Sequence, residues 1–114
     1  MKTLKDFILE GVLPSASDIL SMYMINYKSA QSLVEEMEKD GWILDENFNN
    51  WSGGEFVEIR MYRKTEIVWI TFEDVNQYHG GDIRKVLPNL YSIIESKYRK
   101  FSSQSKLKEY FKYY

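Results

Sequence analysis

A chain of 114 residues has room for one hydrophobic core, because two cores would each fall in the marginal size range. Its composition is 44% hydrophobic, enough to offset chain entropy, and the absence of Cys excludes a disulfide framework, thiol catalysis and Cys-bearing zinc sites. Residues 1–83 hold seven Lys/Arg against fifteen Asp/Glu, a balance of −8, whereas residues 84–114 hold eight against two, a balance of +6.

In chain order, Thr3, Leu4, Phe7, Ile8 and Val12 recur at helical spacing before Gly11 and Pro14, which predicts a first helix over Thr3 to Glu10. Asp6 and Glu10 interrupt the apolar stretch that a signal peptide would need, and no run reaches the roughly 18 apolar residues of a membrane span. The expected protein is cytoplasmic with no membrane partner. Ser15 or Ser17 caps a second short helix, about Ser17 to Tyr23, with Ile19, Leu20 and Tyr23 inward. After Met24, Ile25 and Asn26, a third helix runs from Tyr27 to Lys39. Asn26 is its candidate N-cap, and Tyr27, Ala30, Leu33, Val34 and Met37 share its apolar face. Gly41 suits the left-handed position beyond its C-terminus.

Trp42 to Leu44 begins an extended segment, and the polar stretch Asp45 to Gly54 predicts a long hairpin with a loose tip. Val57, Ile59 and Met61 then alternate with Glu58, Arg60 and Tyr62 at strand spacing. Arg63 to Thr65 turns the chain, and the continuously apolar run Ile67 to Phe72 reads as a strand covered on both faces, central to its sheet. Beyond the turn-rich Asn76 to Gly81, the stripe Ile83, Val86, Leu87, Leu90, Ile94, Tyr98 and Phe101 predicts two helices, Pro88 opening the second. Leu107, Tyr110, Phe111 and Tyr114 predict a last helix over Lys106 to Tyr114.

The segment from Ser15 to Ile43 resembles the winged-helix gamma domain of FtsK/SpoIIIE-type DNA translocases, which reads short oriented sequences in duplex DNA. Ala16-Ser17, Leu20, Tyr23 and Ile25, then Tyr27, Ala30, Leu33-Val34, Met37-Glu38 and Gly41, follow that family's second helix, turn and recognition helix in order and spacing. Asn26 stands where the family has Gly. Lys28, Ser29, Gln31 and Ser32 stand where it is richer in Arg and Asn, which implies a different base preference. The resemblance covers about a quarter of the chain and implies an α+β fold. The expected fold is a winged helix-turn-helix with a short antiparallel sheet, to which a third strand and C-terminal helices outside the resemblance are added, in one domain over 1–114. Residues 1–75 would form the winged-helix core and 82–114 a C-terminal helical extension.

The leading expectation is a DNA-binding winged-helix protein, a small regulator or an accessory protein of a mobile element, with double-stranded DNA as partner. Lys28, Ser29, Gln31 and Ser32 would meet base edges or phosphates from the major groove, and Arg60, Arg63 and Lys64 would add phosphate contacts. The C-terminal cations form the stronger phosphate footprint. Trp51, at the hairpin tip, either anchors a partner or folds back with Phe48. Tyr110 and Phe111 offer a partner contact, a homodimer contact through the C-terminal helices, or a last piece of core. The alternative is a protein-binding inhibitor or toxin-immunity protein, phage-encoded or otherwise. Its acidic half would cover a basic partner surface through a patch spanning Glu35, Glu36, Asp45, Glu46 and Glu55. His79 is the only histidine and lies beside no nucleophile or metal-ligand spacing, so neither an enzyme, a metal nor a cofactor is expected.

Overall fold

The computed structural model describes residues 15–23, 29–48, 50–52, 55–74 and 82–113. The first predicted helix, Lys28 and His79 lie outside the described residues. The protein is α+β. Helix α1 (Ala16–Ser21) and helix α2 (Ala30–Lys39) precede strands β1 (Ile43–Leu44), β2 (Asn50–Ser52), β3 (Phe56–Arg63) and β4 (Glu66–Asp74). A one-turn helix α3 (Ile83–Val86) and a 3-10 turn (Leu87–Asn89) then lead into β5 (Leu90–Lys100) and helix α4 (Gln104–Tyr113).

Both early helices open on reciprocal serine caps, which satisfy amides that have no partner inside a helix. Ser15 Oγ accepts from the Asp18 amide at 3.1 Å while Asp18 accepts from the Ser15 amide at 3.0 Å. Ser29 Oγ accepts from the Ser32 amide at 3.2 Å, and Ser32 Oγ accepts from the Ser29 amide at 3.0 Å. The third predicted helix therefore begins at Ala30 rather than Tyr27, and its cap is Ser29, not Asn26. Gly41 has a φ of 91° just beyond the C-cap Asp40, the left-handed position expected of it.

The sheet is antiparallel throughout, in the order β1-β3-β4-β5, with β2 also paired to β3. The hairpin between β3 and β4 turns at Lys64, whose φ is 55°, a conformation that costs a side-chain-bearing residue about 1–2 kcal/mol. Val57, Ile59 and Met61 of β3 and Val68, Ile70 and Phe72 of β4 point to one face, where α1, α2, α3 and Trp42 complete the larger core. Ile67 points to the other face, where Phe101 and Leu107 bury it and Tyr62, Trp69, Tyr110 and Phe111 surround it. The apolar run of β4 is thus covered on both faces, as its sequence predicts.

The stripe from Ile83 to Phe101 is not two helices. Pro88 lies in the 3-10 turn, and Leu90–Lys100 is an eleven-residue strand paired along β4 from Glu66↔Lys100 to Asp74↔Leu90. Buried β4 needs a hydrogen-bonding neighbour on each edge, and the β-branched and aromatic residues of 90–100 supply the second. Ile94, which fits the helical spacing, is 51% exposed at a register shift. Residues 82–114 are therefore no helical extension, because β5 is an integral strand, and the sheet is longer than the short one expected.

Candidate nucleic-acid interface and groove

The predicted reading residues separate once the side chains are placed. Ser29 and Ser32 are held in the α2 cap, and Ser32 Oγ also donates to the Ser29 carbonyl at 2.8 Å. Gln31 is exposed, but its amide donates to Glu35 one turn on at 3.1 Å. Beyond it, the outer side of α2 carries Glu35, Glu36 and Glu38, of which Glu36 is paired with Lys39 and Glu38 with Arg84, so this surface offers phosphate no unpaired cation among the described residues.

Arg60 points away from the helix layer and is 4% exposed. Its Nε donates to Asp45 Oδ2 at 2.9 Å, and its guanidinium lies 4.4 Å from the Phe48 ring centroid and 4.7 Å from that of Phe111. It is thus a buried cation already paired with Asp45. Arg63 is also spoken for: Nη1 donates to Asp40 Oδ2 at 3.1 Å, Nε to Glu66 Oε2 at 3.3 Å, and the guanidinium covers the Trp42 ring. Of the three hairpin cations proposed for phosphate, only Lys64 is exposed and outside any ion pair with a described carboxylate.

A polar network missed in the sequence closes the helix side of the sheet. Trp42 Nε1 donates to the Tyr23 hydroxyl at 3.0 Å, which donates to Asp40, and Arg63 links Asp40 to Glu66. Burial, aided by the Asp40 bond, pushes the Tyr23 hydroxyl up to about 12. Arg84 bridges Glu38 at 2.7 Å and Glu46 at 2.8 Å, and these bonds raise its already high pKa. The carboxylate patch expected over Glu35, Glu36, Asp45, Glu46 and Glu55 is broken accordingly: Asp45 turns in to Arg60 and Glu46 is held by Arg84.

Five further cations gather elsewhere. The registers Arg99↔Ile67 and Lys97↔Trp69 put both side chains on the α4 face of the sheet, where the Arg99 guanidinium lies 4.5 Å from the Phe101 ring centroid and 5.8 Å from that of Tyr110. Lys106, Lys108 and Lys112 are exposed on α4. Neither these five nor Lys64 is ion-paired to a described carboxylate. Farther along the same face, the row Glu58, Thr71, Glu95 and the neighbouring Glu73 make an acidic end beyond the second core.

Tyr110 and Phe111 turn under α4 and pack, partly buried, against the second core, Phe111 at 4.8 Å from Tyr62 and Tyr110 edge-on to Trp69 at 6.0 Å. Trp51 is placed in β2 opposite Val57, and its side chain lies outside the described residues. Between β1 and the start of α4 a groove of about 640 Å³ opens, with Ile43, Phe48, Tyr62 and Phe111 as walls and Lys64 and Lys108 among its lining. Ile43 is 50% exposed there.

Among the described residues no helix is long and apolar enough to cross a membrane. Compared with protein-family models, curated proteins and solved structures, the chain matches none.

Proposed function

We propose that this chain is a duplex-DNA-binding protein that meets the phosphate backbone with the β5–α4 side of its sheet rather than with α2. One observation carries this reading. Lys39, Arg60, Arg63 and Arg84 are neutralised by carboxylates of the same chain, whereas among the described residues Lys97, Arg99, Lys106, Lys108 and Lys112 have no such partner. Phosphate neutralisation supplies most sequence-independent affinity, so cations without internal partners matter most. The order α1, α2, then the β3–β4 hairpin is compatible with a winged helix whose sheet has been widened by β5. In this reading the helix pair is scaffold, and Glu35 to Glu38 face away from DNA.

The test is anisotropy of a labelled duplex pool at low and near-physiological salt, comparing the unaltered protein with Lys97→Glu/Lys106→Glu and with Gln31→Ala. Salt-sensitive binding lost in the double variant and kept in Gln31→Ala supports the reading. Absence of binding at low salt removes it. A basic protein partner would then be favoured, and the exposed acidic end at Glu73 and Glu95 is the surface such a partner would meet.

A further inference from the structure

We propose that the groove between β1 and α4 holds a single unpaired nucleotide, its base against the aromatic walls and its phosphate on Lys64 and Lys108. This rests on the DNA reading above and gives it a second, structure-selective contact. The volume of about 640 Å³ lies within the range of about 300–1,000 Å³ typical of small-molecule sites. Its chemistry is divided in the way a nucleotide is. Phe48, Tyr62 and Phe111 offer apolar ring surface and Ile43 an exposed aliphatic wall, while Lys64 and Lys108 add two cations without carboxylate partners among the described residues. Aromatic surface beside unneutralised cations is the arrangement by which proteins take unstacked bases.

Two further features fit this occupant. The floor is already satisfied: the Arg60 guanidinium is bonded to Asp45, and Asp45 Oδ1 accepts from the Asn47 amide at 3.1 Å, so neither the buried cation nor its carboxylate calls for a ligand charge of its own. The ligand charge is left to the rim. There, Lys64 sits at the turn of the β3–β4 hairpin in a left-handed conformation that glycine would adopt without strain. A duplex interior keeps its bases stacked and would not enter, so the groove would select strand ends, flaps or gaps.

The experiment compares a blunt duplex with the same duplex carrying a short 5′-phosphorylated single-stranded overhang, by anisotropy at one salt concentration. The unaltered protein is expected to prefer the overhang by about tenfold, the scale of one stacked base. In Lys64→Gly/Lys108→Gln the overhang-to-blunt affinity ratio should fall to one, while loss of the Lys108 phosphate contact weakens both duplexes alike; glycine suits the turn and Lys108 is exposed, so this variant retains the fold. Equal affinity for the two duplexes, or a preference that survives the double variant, overturns the groove proposal and leaves duplex binding standing. If neither duplex binds, the duplex reading falls and thymidine 5′-monophosphate decides the groove separately. Saturable amide shifts at Ile43 and Tyr62, absent in the double variant, would uphold it, and their absence in the unaltered protein would overturn it.

Discussion

The Tyr98 hydroxyl donates to Glu66 Oε1 at 3.0 Å, joining the outer strand of the sheet to a carboxylate that is 5% exposed. The other Glu66 oxygen accepts from Arg63, so both oxygens of this buried group are engaged. Removing the phenol alone leaves a charged acceptor short of one donor, which costs about 1–3 kcal/mol. Tyr98→Phe should therefore lower the urea midpoint without changing the slope of unfolding. Since Tyr98 of β5 supplies the donor to that oxygen, hydrogen exchange should quicken first along β5.

Tyr23 gives the same network a pH limit. Its hydroxyl is pushed up to about 12, first by burial and then by the Asp40 bond, from an unfolded value near 10. Tyr98 is also raised, by burial and by the Glu66 charge. The folded state therefore holds these protons where the unfolded chain has released them. Stability contributed by Tyr23 is intact below about pH 10 and is lost as pH rises from there towards about 12. Denaturant midpoints measured up that range should fall, and the fall should be shallower in Tyr23→Phe. An equally steep fall in the variant would place the alkaline sensitivity elsewhere.

Arg60 separates a structural cation from a binding one. It is enclosed by Phe48 and Phe111 and bonded to Asp45, whose side chain is itself largely buried. Breaking such a pair from one side costs about 3–5 kcal/mol, because the surviving charge stays buried. Asp45→Ala is thus expected to be strongly destabilising, and Asp45→Ala combined with Arg60→Met markedly less so. At a temperature where the double variant remains folded, its affinity for blunt duplex should equal that of the unaltered protein. A clear loss would return Arg60 to the DNA interface.

Ser29 was legible as part of α2 but not as its cap. Both Asn26 and Ser29 have capping chemistry, and the apolar Tyr27 in phase with Ala30 favoured the earlier start. The reciprocal bonds with Ser32 decide for Ser29. Ser29→Ala should cost about 1 kcal/mol, read from thermal or urea unfolding, and should leave DNA affinity unchanged. An affinity loss beyond the stability effect would restore this residue to base reading.

The same contrast runs through the chain. β3 and β4 were legible because alternation and continuous burial are imprinted locally, as Val57, Ile59, Met61 and Ile67 to Phe72 demonstrate. β5 was not, because Leu90, Ile94 and Tyr98 keep a helical spacing and the demand for a strand comes from the unfilled edge of β4, a tertiary cause. Among candidate site residues, Lys64 could be placed from the sequence since it sits at a turn. The fate of Arg60 and Arg63 depended on Asp45, Asp40 and Glu66, and whether a long side chain meets a carboxylate across strands is set by register that no local pattern carries.

Register also sharpens the DNA prediction. Lys97 and Arg99 alternate with Tyr98, so they share the α4 face while Tyr98 turns to the helix layer, and Lys106 is exposed on α4. Each phosphate neutralised releases counterions, so the logarithm of affinity falls with the logarithm of salt by about 0.9 per contact. Neutralising Lys97, Arg99 and Lys106 to Gln should flatten that slope by about three and weaken binding about equally across unrelated sequences. Lys85, exposed on α3, is the control cation because α3 packs on the opposite layer; Lys85→Gln should leave the slope unchanged. If Lys85→Gln flattened it as much as the triple change, the binding would be spread over the surface, and the assignment to β5 and α4 would be wrong.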